Sequence, residues 1–244
     1  MTSAILTGRD AKPNFSRQER EAVRTTCGMK LRYLDLSAFN AVALASEPFR
    51  HVVVPGFVRP EACADINRDY PRIAESGSFP ADGLSYGPAF RELLDELTSE
   101  PFRKAFEDKF DLDLSGLPHT VTVRGHCSPR DGRIHADSKS KVITILIYMN
   151  PEWEHQGGRL RLLRSADDLD DTILEIPPAP GTLLAFKRSD NSFHGHKPFS
   201  GERRVIQFNW VTSEGDRRIA MLRHQVSASL KRLLAVASLH RASA

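Results

Sequence analysis

Between residues 119 and 212 the chain alternates short β-branched runs with turns of Gly, Pro and Asp, and this rhythm limits what it can fold into. Thr120 to Arg124 is one such run, and Lys141 to Asn150 is the next. A Gly157-Gly158 turn then leads into Arg159 to Leu163. Pro180-Gly181 leads into Thr182 to Phe186, and Gly201 to Val211 closes the series. Strands this short and this often interrupted suit two antiparallel sheets that face each other, a jelly-roll or double-stranded β-helix.

The preceding stretch is mixed. Phe49 to Phe57 reads as a strand and a turn. Pro60 to Arg72 reads as a helix with its proline near the start, where the missing N–H costs nothing. Pro88 to Leu97 and Pro101 to Phe110 read as two further helices, separated by their prolines. Gly77 to Gly87, rich in Gly, Ser and Pro, reads as a loop, either over a site or simply on the surface. The fold class expected is therefore mainly β with flanking helices (α+β). Residues 1–30 form a polar tail, 31–215 a single domain with its β-core at about 119–212, and 216–244 a basic C-terminal segment. In that segment Asp216 to Leu239 reads as one amphipathic helix, with Ile219, Leu222, Val226, Leu230, Leu233 and Ala237 at helical spacing. This stripe has to pack on the domain or on a second copy of the chain.

The chemistry-bearing residues fall inside the β-core. In His135-Ala136-Asp137 the two outer side chains point to one side of an extended strand. A further histidine, His194, must come from a different strand. Two imidazoles and one carboxylate form the ligand set that leaves a ferrous ion with open coordination positions. His196, two residues on, competes with His194; its alternative places are the rim of the site or a surface loop.

The frame has ordered surroundings. After His-x-Asp come a strand ending Tyr148-Met149-Asn150, then Gly157-Gly158-Arg159-Leu160, Pro180-Gly181 with Phe186, His194, and a basic pair nine and ten residues further on, Arg203 and Arg204. This order, over residues 120–211, resembles the iron(II)/2-oxoglutarate-dependent oxygenases, in particular their prolyl-4-hydroxylase-like branch. The resemblance implies that His135, Asp137 and His194 bind Fe(II) and that the basic residue pairs with the distal carboxylate of 2-oxoglutarate. It implies O2 as co-reactant, succinate and CO2 as products, and hydroxylation of a substrate C–H. Halogenating relatives lack the carboxylate that Asp137 supplies.

Arg204 shares a strand face with Ile206, Phe208 and Trp210, and Arg203 with Val205, Gln207 and Asn209. Taking the more apolar face as the inward one favours Arg204 over Arg203. Either guanidinium offers the planar fork that a carboxylate accepts. Thr144 and Tyr148 share a face of their strand and can bond the cosubstrate or be satisfied within the core. The tyrosine usual near the end of the first core strand has no counterpart; Arg124 and His126 stand there.

Composition narrows the alternatives. A chain of 244 residues with 40% hydrophobic and 27% charged content is ordinary for a soluble domain. Met1 to Arg20 is too polar for a secretory signal, and no apolar run reaches a membrane span. Cys27, Cys63 and Cys127 have neither metal-ligand nor disulfide-framework spacing, which suits a reducing cytoplasm. From Arg217 onward there are six Arg or Lys and no Asp or Glu. Removing those six from 34 leaves 28 basic against 31 acidic residues, so the net charge of +3 belongs to this tail. The sheets show no interleaving of aromatic and basic residues for nucleic acid. Arg130, Arg133, Lys139 and Lys141 flank the metal frame, as an anionic substrate or an ordinary charged rim would require. The substrate itself, whether small molecule, glycan or protein side chain, is set by the loops around the site. Two other readings keep part of this pattern: a cupin-like metalloenzyme without 2-oxoglutarate, and a non-catalytic binding module that uses the basic tail.

Overall fold

The computed structural model describes residues 31–226. The tail expected over 1–30, and the expected C-terminal helix beyond 226, lie outside the described residues. A compact unit begins at Tyr33. Its elements run α1 (Leu36–Ala41), β1 (His51–Val54), α2 (Pro60–Arg68), β2 (Phe79–Pro80), α3 (Pro88–Leu97), α4 (Glu100–Phe110), then β3 (His119–Cys127), β4 (Lys141–Tyr148), β5 (Leu160–Leu163), β6 (Thr172–Ile176), β7 (Leu183–Lys187), β8 (His194–His196) and β9 (Gly201–Val211).

The strands form two antiparallel sheets. The larger has the order β1-β7-β4-β9-β3-β2, and the smaller has the order β6-β5-β8. Between them lies a core of Phe49, Tyr148, Leu160, Leu162, Ile176, Leu184, Phe186 and Val205. This is the expected jelly-roll arrangement, with helices packed on the outside of the larger sheet.

Local sequence explains the helices. Pro88 and Pro101 sit in first turns, where their missing N–H groups are harmless. Ser99 caps α4 by accepting the Phe102 N–H, and Asp111 ends it in the left-handed conformation. In α4 the apolar stripe Phe102, Ala105, Phe106 and Phe110 is buried. Phe102 and Phe106 meet Phe208 and Trp210 of β9, with ring centroids 5.4–5.7 Å apart. Each fully buried ring of this kind contributes about 1.5–3 kcal/mol from burial alone.

Two expectations change. Helix α2 stops at Arg68 instead of Arg72, because Pro71 pushes the residue before it out of the α region. The segment 77–87 is not simply a loop. Its Phe79–Pro80 pairs with Thr122 and Val123 of β3, and Phe79 is buried. A helix follows β9 from residue 214 and is described to 226. There Ile219, Leu222 and Val226 are exposed, at 53%, 60% and 60%, so this part of the apolar stripe does not pack on the domain.

Candidate metal centre and cosubstrate cavity

The segment leading from β3 to β4 crosses the end of the smaller sheet and docks beside β8. His135 and His194 exchange backbone hydrogen bonds, 3.1 and 3.0 Å long, in an antiparallel bridge. Their rings consequently lie 4.3 Å apart. Gly195 makes this approach possible: a Cβ there would lie 2.8 Å from the Gly132 carbonyl oxygen and 3.3 Å from Ile134 Cα.

Each ring is also oriented. His135 Nδ1 lies 2.9 Å from the Arg133 carbonyl oxygen, and His194 Nδ1 lies 3.0 Å from that of Ser192. A carbonyl only accepts, so both Nδ1 atoms carry the proton and both Nε2 atoms present lone pairs. Asp137 completes the group. One ligand atom from each of His135, Asp137 and His194 lies within 4.8 Å of the others. Asp137 is buried, accepting a hydrogen bond from Lys141 Nζ at 2.7 Å and one from Thr144 Oγ1 at 2.5 Å. Burial would raise its pKa, but the charges of Lys141 and His194 and these hydrogen bonds outweigh it and hold the carboxyl at about 2. Burial dominates at His194 and lowers its pKa to about 4, with Asp137 opposing. The group at neutral pH is thus a carboxylate and a neutral imidazole, the protonation states a divalent cation needs.

The triad opens on a cavity of about 130 Å³ between the sheets, lined also by Ser78, Thr122, Arg124, Thr144, Leu146, Leu160, His196, Arg203, Val205 and Gln207. The expected basic residues separate here. Arg203 is 4% exposed, donates from Nε to the Gly158 carbonyl at 2.8 Å, and lies 5.4 Å from the Tyr148 ring centroid. Arg204 does not reach the cavity. Its guanidinium bonds Glu202 and Asn67 and covers the Tyr70 ring at 5.4 Å. The preference for Arg204 is therefore corrected. The apolar face of β9 is turned to the helices, and the face carrying Arg203, Val205 and Gln207 is turned to the cavity.

Two buried polar atoms here lack partners: Arg203 Nη2 and the Tyr148 hydroxyl. An unpaired donor on a buried guanidinium costs about 1–3 kcal/mol or more, which an anion bound beside it would recover. The residues thus fit a metal at the triad and a carboxylate at Arg203. Thr144 lines the cavity but gives its hydroxyl to Asp137. His196 is 5% exposed and lines the same cavity, with Nε2 3.7 Å from Cys127 Sγ. Arg124, whose Nη1 pairs with Asp131 at 3.1 Å, stands where the resemblance leads one to expect a tyrosine. Gln207, Thr122 and Ser78 escaped the sequence reading. Gln207 follows from strand parity once the face of Arg203 is known, whereas Ser78 has no local signal.

Comparison with known proteins agrees with this architecture. Residues 122–212 match the family model described as the 2OG-Fe(II) oxygenase superfamily. Over this stretch, less than half of the chain, the sequence is similar to that superfamily, and together with the cluster of His135, Asp137 and His194 this supports oxygenase chemistry with Fe(II), 2-oxoglutarate and O2. A prolyl-4-hydroxylase from Pseudomonas putida is similar in structure, with a TM-score of 0.50 and 17% identity, covering 76% of this chain and 98% of that one. Similarity at this identity establishes the fold. A collagen prolyl hydroxylase of Paramecium Bursaria Chlorella virus-1 gives a TM-score of 0.46 at 16% identity, covering 66% of this chain and 96% of that one. A Trichoplax adhaerens prolyl hydroxylase solved with a hypoxia inducible factor peptide gives 0.47 at 15%, covering 84% and 97%. Comparison with curated proteins finds no match. Among the described residues no helix is long and apolar enough to cross a membrane.

Proposed function

We propose that His135, Asp137 and His194 are the iron ligands of a hydroxylase, and that Arg203 with Tyr148 holds the distal carboxylate of 2-oxoglutarate. The observation that carries this reading is the buried Arg203, with an unpaired Nη2 beside an unpaired Tyr148 hydroxyl, at the wall of the cavity onto which the triad opens. Bound at the triad, iron supplies the oxygen chemistry that couples decarboxylation of the cosubstrate to oxidation of a C–H bond.

The protein's part is position and exclusion of water. Arg133 and Ser192 fix the ring tautomers through their carbonyls. Thr144 and Lys141 hold the Asp137 carboxylate, so that it meets the metal already oriented. Leu146, Leu160 and Val205 keep the intervening space apolar. The buried free thiols of Cys63 and Cys127 support a reducing, cytoplasmic setting. The exposed Ile219, Leu222 and Val226 support a second copy of the chain docking on that helix.

The test is an anaerobic titration of the metal-free protein with Fe(II) and then 2-oxoglutarate, followed by visible absorption. The expected result is a charge-transfer band of the chelate in the wild type and none in Asp137→Ala. Iron binding without the band would point instead to a cupin-like enzyme. Absence of iron binding would overturn the assignment of the triad.

A further inference from the structure

Resting on that reading of the site, we propose that the substrate is an acidic segment of polypeptide, drawn to the metal centre by Arg130, Arg133 and Lys139. The cavity of about 130 Å³ falls well below the roughly 300–1,000 Å³ usual for small-molecule sites. A small dicarboxylate held at Arg203 takes the room available. The centre itself is open to solvent, because the His135 side chain is 56% exposed. The bulk of a substrate must then lie outside, over the segment that carries His135.

That segment is strongly and unusually cationic. Arg130 and Arg133 precede His135-Ala136-Asp137 and Lys139 follows it, and all three are exposed. None has an ion pair among the described residues. The carboxylates nearest in sequence are already engaged, Asp131 by Arg124 at 3.1 Å and Asp137 by Lys141 at 2.7 Å. Several arginines elsewhere in the domain are paired, as in Arg59–Asp35, Arg103–Glu107 and Arg161–Glu175. Three free charges placed on both sides of the metal frame leave a positive field at the one place where substrate must dock. Their distribution along the segment suits several carboxylates in a row better than one. Residues 128–140 contain no Phe, Tyr or Trp, so the row of stacking rings that a single-stranded nucleic acid needs is missing there.

The experiment titrates a fluorescein-labelled hexaglutamate peptide into protein loaded with Co(II) and 2-oxoglutarate, at low and high salt. A hexalysine peptide and a hexathymidylate oligonucleotide are run beside it. The expected result is saturable hexaglutamate binding that weakens with salt and shifts the visible Co(II) bands. A triple variant, R130Q/R133Q/K139Q, should bind about tenfold or more weakly with unchanged thermal melting. No binding, equal binding by the triple variant, tighter binding of the oligonucleotide, or binding that leaves the Co(II) bands unmoved would each overturn the proposal. Co(II) and 2-oxoglutarate affinities are measured on the same samples. Their failure would refute the assignment of the site, while the peptide affinities decide the role of Arg130, Arg133 and Lys139 separately.

Discussion

Arg203 and Arg204 are neighbours in the chain and occupy opposite sides of the larger sheet. The first is buried at the cavity with an unpaired Nη2; the second clips β9 to Asn67 beneath the helices. The period of two along a strand turns one peptide step into a separation of roles, and this makes the pair a sharp test. Arg203→Gln should weaken 2-oxoglutarate binding by about ten- to hundredfold, the worth of a charge-assisted hydrogen-bond pair. Arg204→Gln should leave that affinity within about twofold and lower stability by about 1 kcal/mol. Calorimetric titration and thermal melting of both variants check this.

Tyr148 offers the converse case. Its hydroxyl is buried without a partner, so removing it relieves a cost in the free protein. Tyr148→Phe should be as stable as the wild type or more stable, yet bind 2-oxoglutarate roughly three- to tenfold more weakly. Loss of stability with unchanged affinity would show that the hydroxyl serves the core.

Thr144 acts through Asp137. Thr144→Val keeps the shape and removes the 2.5 Å hydrogen bond to the carboxylate. Metal affinity should fall about ten- to hundredfold, the usual cost of losing an outer-shell partner, as read by chelator competition with Co(II). Rescue by Thr144→Ser would distinguish the hydroxyl from mere packing.

The outer core should be sensitive in a way that the site is not. Phe102 is wholly buried and touches Phe57, Phe106, Phe208 and Trp210. Phe102→Ala should cost about 3–5 kcal/mol in denaturant unfolding, while protein that remains folded keeps its metal affinity.

Much of this was legible in the sequence, because the strand breaks at Gly157-Gly158 and Pro180-Gly181 and the helix-starting prolines are local signals. The triad could be named before its geometry was known, since spacing and order carry it. Apolar character points to Arg204 and misleads, because it does not say which of two buried faces lies under a helix and which encloses a cavity. Ser78 was equally out of reach. Its place depends on the pairing of Phe79–Pro80 with β3, a contact across some forty residues of sequence that no local pattern announces.

The absent side chain at Gly195 has a consequence beyond packing. The two imidazoles are held on separate strands, and the gap between those strands is narrow only because no methyl group stands between them. The span across which a cation would be gripped is therefore fixed before any cation arrives. Gly195→Ala would keep every donor atom and spoil the bite, turning a chelating pair into two solitary histidines.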